Sequence, residues 1–313
     1  MNTSARLSPA EYVDKLHDLL VPGYKGEPSG KVSISTYLCA NASFGGAANA
    51  GVLAVNLKKI AVAHSENSIN QPGFWRIFNG QGSRDNFVAA MMLIDKYQDE
   101  FKKVKELAKY FKTNNFLQAM IDDKCFGLDC IGFVGTWLVE ACLEGSYVGR
   151  KPLDYAAVFK PVKRLDEITD NSVVMLTNGM HIQVIDYVKS RDGNKSITVD
   201  LCQSSSGGPQ TNTSVTIHSG GGNFLPVEEF RKALATKQYD SDWNADNQDR
   251  QSKGLGQRDY ETYLRARMTR SNTQFGYAGG AIFADRQRVQ SARRQRPGLY
   301  RCSGRGLLAY RRY

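Results

Sequence analysis

Residues 125–134 read CFGLDCIGFV, a cysteine set directly after an aspartate at the start of an apolar run. Phe133, Val134, Trp137, Leu138, Ala141 and Cys142 follow at the spacing of one face of a 3.6-residue period, and Gly145 stops it. Asp129 suits the N-cap of that helix, because its carboxylate accepts from the free amides of the first turn. Cys130 then takes the first helical position, where the positive end of the helix dipole favours a thiolate. A thiolate attacks carbonyl carbon. To do so repeatedly it needs a base for its proton and a group that orients that base.

The chain has four histidines. His17 lies on an N-terminal helix with apolar neighbours at helical spacing, and His64 ends the helix-like run 50–63, where it suits the dipole. His218 precedes a glycine run and is the second choice for the base. His181 alone opens a strand after the cysteine helix, 51 residues beyond Cys130, which leaves room for a loop and one strand to return the chain beside the helix. Residues 190–195, SRDGNK, read as a hairpin turn centred on Asp192 and Gly193. Pairing about that centre sets His181 opposite Ser204, and a bulge or a different loop register brings Gln203 onto the histidine's face. Gln203 is the preferred orienting group. Asp200, which falls nearer Ile185, stays open as the alternative.

The run Asp129-Cys130-Ile131-Gly132-Phe133-Val134 resembles the nucleophile motif of the NlpC family of papain-like cysteine peptidases, with Ile131 where that family usually has serine. Residues 170–176 (DNSVVML) look like its first core strand. Residues 179–187 (GMHIQVIDY) resemble its Gly-His-Val strand with Met180 inserted, and residues 197–207 (ITVDLCQSSSG) its third strand. The resemblance spans roughly residues 85–230. It implies Cys130 as nucleophile, His181 as proton carrier, Gln203 as orienting group, Asp129 beside the substrate, and an oxyanion site drawing on the Cys130 amide. The implied reaction is amide hydrolysis through a thioester, with no cofactor and no metal. The leading substrate is a peptidoglycan stem peptide, acted on by a secreted antibacterial effector or a phage-type lytic enzyme. A protein substrate for a deamidase or acyltransferase on the same fold is the alternative. A non-enzymatic binding module with a polyanion-binding tail is the other, and an inhibitor protein is a further conceivable partner.

Composition frames these expectations. Hydrophobic residues make up 41% of the chain, enough for a buried core, and no apolar run reaches the length of a membrane span. The first residues, MNTSARLSP, lack the apolar stretch of a secretory signal, so the expected location is the producer's cytoplasm, with export by a specialised route. Six cysteines without a metal-ligand pattern fit a reducing compartment, with Cys125 a loop or packing residue and Cys142 a small core residue on the helix's apolar face. Residues 251–313 hold 14 cationic residues against Asp259, Glu261 and Asp285, a net of +11, while the whole chain is +10. The basic excess therefore belongs to the tail, which could grip a polyanion.

The fold class expected is α+β: a papain-like (NlpC-type) core whose cysteine helix packs on a short antiparallel sheet, with an N-terminal helical layer and a basic C-terminal extension. The divisions expected are 1–84 as a support region, 85–253 as the hydrolase core and 254–313 as the Arg-rich extension. Within the support region, Ser8 caps a helix over 9–20, residues 23–32 form a loop, and 32–38 alternate like a strand. Residues 86–110 carry the spacing of one long helix, and 111–121 continue it or form another.

Overall fold

The computed structural model describes residues 7–24, 29–39, 47–151, 154, 161–162, 165–170, 173–176, 181–193, 196–218, 232, 234–261, 263–264 and 282–283. The fold is mixed α+β. Helix α1 (Pro9–His17) starts from a reciprocal cap, in which Ser8 accepts from the Glu11 amide and Glu11 reaches back to the Ser8 amide. It ends three residues short of the sequence expectation, because Leu19–Pro22 forms strand β1, paired antiparallel with β2 (Ser29–Val32). The expected strand over 32–38 is not regular. Its backbone is used instead against the loop before the cysteine helix, where the Leu128 amide donates to the Thr36 carbonyl at 3.1 Å.

Helix α2 (Ala47–Ala63) and α3 (Arg84–Lys96) follow, the latter capped by Ser83. The single long helix expected over 86–110 breaks at Tyr97, whose backbone leaves the helical region. The Tyr97 hydroxyl is held there by Glu66 at 2.5 Å and its ring stacks on His64. A short α4 (Gln98–Phe101), turns and α5 (Phe116–Asp122) complete the stretch. Then comes α6 (Cys130–Glu140).

Strands β3 (Pro161–Val162), β4 (Val173–Leu176), β5 (His181–Asp192), β6 (Ser196–Ser205) and β7 (Gly208–His218) lie in one antiparallel sheet. Helix α7 (Asp240–Ser252) precedes β8 (Ile282–Phe283), which enters that sheet between β3 and β4. The tail therefore contributes a strand, whereas the sequence reading placed every strand of the core before residue 230. The hairpin between β5 and β6 closes later than expected, at Asp192↔Ser196 and so centred on residue 194, and its ladder shifts register between Ile185 and Tyr187 and again between Val188 and Ser190.

Side chains bury in clusters on the two faces of this sheet. On one face, Ile182, Val184 and Cys202 join Tyr12, Leu16, Phe87, Phe126, Phe133, Val134 and Trp137 in the main core. A division at residue 84 would run through that core, since it draws on both sides of it. On the other face, Ile185, Val199, Leu201 and Ile217 pack with Leu165 and Ile168. This alternation is the period-2 pattern of strands covered on both faces. A separate cluster joins Trp243 and Tyr239 to Tyr260, Tyr263 and Leu264 across Gly254, so a boundary there would cut a packed unit.

Candidate functional site

The turn before α6 is built from close backbone contacts. The Asp129 amide donates to the Gly80 carbonyl at 2.8 Å. A Cβ on Gly132 would come within 1.9 Å of that same carbonyl oxygen, so only glycine lets the Gly80–Gln81 loop close on the helix start. Asp129 caps α6, its Oδ1 accepting the Gly132 amide, while Oδ2 accepts from Gln81 Nε2 at 3.3 Å. The carboxylate is buried and both its oxygens are engaged inside the protein. Burial raises its pKa to about 7 against the opposing amide and Gln81 hydrogen bonds.

Cys130 occupies the first position of α6 with 4% of its surface exposed. Its sulfur accepts from the Ile182 backbone amide and the Tyr37 hydroxyl. Burial, followed by the neighbouring Asp129 charge, pushes the thiol up to about 12. The expected thiolate is thus not the resting form: desolvation outweighs the helix end, and the thiol is protonated at neutral pH.

The Ile182 amide reaches the sulfur where β5 and β6 part. Their ladder runs from Asp192↔Ser196 to Val184↔Cys202 and no further. Beyond that point side chains bridge the strands. Gln183 Nε2 donates to Gln203 Oε1 at 2.7 Å, and His181 Nε2 bonds the same oxygen at 2.6 Å. Ser204 Oγ donates to the Leu128 carbonyl at 2.6 Å, tying β6 to the turn before α6. The residue whose amide reaches the thiol, Ile182, follows His181 directly along β5, and the hydrogen bond made by the imidazole goes to Gln203. Burial lowers the His181 pKa against that bond, so the ring is neutral at neutral pH.

Asp200 lies elsewhere. It pairs across from Tyr187, forms an ion pair with Lys189 at 2.9 Å and accepts from the Ser214 amide at 2.8 Å. Gln203, which a hairpin centred on Asp192 and Gly193 would set opposite Ile182, reaches His181 because the hairpin closes at Asp192↔Ser196 and its ladder then shifts twice, ending at Val184↔Cys202. His17 bonds the Pro209 carbonyl and His64 pairs with Glu100. His218 closes β7 opposite Ser196, at the far end of the ladder.

Several residues at the site carry no local sequence signal. Tyr37 lies on an irregular segment, and Gln81 on a loop after a short 3-10 turn over Phe74–Asn79. The Arg76 guanidinium sits 4.9 Å from the centroid of the Tyr147 ring, which packs against Gly135 of α6. Cys125, buried in the core, bonds the Tyr110 hydroxyl. Cys142 is not the helix-face residue expected. It lies past the end of α6 with a left-handed backbone, and it is disulfide-bonded, which departs from the expectation of six reduced thiols.

Among the described residues no cluster of His, Cys, Asp and Glu side chains is arranged to hold a metal ion, and no helix is long and apolar enough to cross a membrane. No protein-family model matches the chain, and neither a curated protein nor a solved structure matches it.

Proposed function

We propose that the protein is a cysteine hydrolase with a papain-like (NlpC-type) core, cleaving an amide bond in peptidoglycan stem peptides. The observation that supports this best is the opening between β5 and β6. There a thiol at a capped helix start accepts the Ile182 amide, and His181, the residue before Ile182 on β5, is already held by a glutamine. A cysteine, a base and an orienting group are the parts such chemistry needs.

The reading has a definite resting state. Thiol and imidazole are both neutral, so the nucleophile is made by proton transfer when substrate enters, not held as a preformed ion pair. His181 takes the Cys130 proton as sulfur bonds to the carbonyl carbon. The oxyanion that forms meets the Cys130 amide at the helix start. His181 then gives its proton to the departing amine, leaving a thioester that water hydrolyses, with the imidazole as base again. Gln203 steadies the ring throughout. Asp129, with both oxygens engaged, acts by fixing the helix start and not by touching substrate. In this reading the enzyme leaves the producer's cytoplasm by a specialised route, and the Arg-rich tail grips an anionic polymer.

One observation favours a second reading, a binding module without turnover: the thiol is nearly closed off and its pKa is pushed up to about 12. Digestion of purified peptidoglycan, with products read by mass spectrometry, separates the two. The hydrolase reading expects new amine and carboxyl ends from the wild type, none from Cys130→Ala, and retained cleavage by Cys125→Ala. His181→Ala should slow turnover roughly 10²-fold or more, the usual range for a lost proton carrier. His218→Ala should not, and Gln203→Ala should lose less than His181→Ala. Cleavage that survives Cys130→Ala would end the proposal.

A further inference from the structure

We propose that Arg76, steadied on the Tyr147 ring, is a carboxylate-recognising residue of the Cys130 site, so that the amide attacked carries an anionic group beside it. The inference rests on the reading of Cys130 as nucleophile, and it names a feature of the substrate that reading leaves open.

The arginines near α6 differ in their partners. Arg84 is paired with Glu140 at 2.6 Å, and Arg150 is paired with Glu144. Arg76 is exposed and has no carboxylate partner among the described residues. Its guanidinium is nevertheless held in place, over the Tyr147 ring. An arginine stacked on an aromatic face gives up less freedom on binding and keeps its planar donors for a carboxylate.

Backbone geometry ties that cation to the thiol. The Arg76 carbonyl accepts the Gln81 amide at 3.0 Å, and Gln81 reaches Asp129 through its side chain. Gly80, between them, accepts the Asp129 amide next to Cys130. From the other direction, the Tyr147 ring lies flat enough on α6 that a Cβ at Gly135 would come within 2.6 Å of its Cε2. Arg76 is therefore fixed from two sides relative to the first turn of α6. The Tyr147 hydroxyl is buried without a hydrogen-bond partner among the described residues, and burial, followed by the nearby Asp129 carboxylate, raises its pKa. It remains a phenol.

Alkylation of Cys130 by iodoacetate and by iodoacetamide tests this on the full-length protein. The reagents place the same reactive carbon on the sulfur and lose iodide alike, and they differ in the charge beside it. Second-order rates at the Cys130 peptide are read by mass spectrometry at pH 9 and low salt. The iodoacetate-to-iodoacetamide ratio should fall about tenfold from wild type to Arg76→Met, the size expected for one lost charge-assisted hydrogen bond. Tyr147→Leu, which removes the platform, should lower the ratio in the same direction. Tyr147→Phe, which keeps a ring, should retain most of it. An unchanged ratio in Arg76→Met, or a Cys130 that neither reagent modifies, would overturn the proposal. Stem-peptide cleavage is followed separately: a wild type that cleaves nothing yet shows the Arg76-dependent ratio would sink the hydrolase reading and leave the anion site standing.

Discussion

Asp129 serves two purposes that oppose each other. As the N-cap it accepts the Gly132 amide, which stabilises α6. As a buried carboxylate beside Cys130 it makes both its own ionisation and that of the thiol costly. The folded protein holds its proton up to about pH 7, well above the ordinary carboxylate range. A carboxyl whose pKa is raised on folding contributes stability that is full below its unfolded pKa and is lost as pH rises through the folded one. Asn at this position keeps an acceptor and carries no charge. Relative to Asp129→Asn, the wild type should therefore lose melting temperature as pH rises from about 4 to about 7. Thermal unfolding of both across that range checks it, and a difference that stays flat would show the carboxyl to be ionised throughout. The same substitution should lower the apparent pKa of Cys130 in a pH series of thiol labelling, because it removes the nearest negative charge.

At the scale of the element, α6 depends on glycines as much as on its apolar face. Gly132 admits the Gly80 carbonyl and Gly135 admits the Tyr147 ring. A methyl at Gly132 would meet a backbone oxygen at 1.9 Å, an atom that moves only with its loop. Gly132→Ala should destabilise by about 1–3 kcal/mol or more, as overpacking of a closed contact does, even though alanine is the better helix former. Gly135→Ala meets a side-chain ring and not a backbone atom, so it should cost less stability. Denaturant unfolding of the two variants gives the order, and a Gly132→Ala protein as stable as the wild type would mean that the Gly80 loop yields freely. Helix α6 itself was readable from its spacing and cap. The break at Tyr97 was not, because Phe101, Val104 and Leu107 keep helical spacing, while the Glu66 bond and the His64 ring that hold Tyr97 come from a different part of the chain.

Across the whole molecule, the basic tail and the packed chain separate at a place that composition does not mark. Charge statistics change near Gly254, but Trp243 packs against Tyr260 and donates through Nε1 to the Arg258 carbonyl. A chain ending at 253 should leave Trp243 solvated and shift its fluorescence to the red. One ending at 264 should keep that emission. It should also lose the basic excess, since residues 265–313 hold 12 Arg against Asp285, a net of +11. Binding to a polyanion such as heparin should be steeply salt-dependent in the full chain and weak in the shorter one. If the 1–253 protein keeps a native Trp243 emission, the packing across Gly254 does not hold that helix.

What the sequence determined by itself was local. The order Asp129-Cys130 followed by an apolar 3.6-residue period is enough for a capped helix with a cysteine at its first turn, and Ser8 and Ser83 announce their helices in the same way. His181 at the head of a strand, and the α+β class, were legible for the same reason: strand and helix periods are properties of neighbouring residues. Tertiary structure decided the rest. The closure of the hairpin at Asp192↔Ser196 and the two ladder shifts, which together carry Gln203 to His181, depend on where extra residues are accommodated in the turn and between paired strands, which alternation alone does not specify. The protonation of Cys130 depends on how much water the Gly80 loop, Tyr37 and β5 exclude, and burial set against a helix end is a sum over distant segments. Tyr37, Gln81, Tyr147 and Arg76 have no motif around them. They belong to the site only because the chain, once folded, brings three separate segments to one helix start, and desolvation and contact act through space without regard to sequence distance.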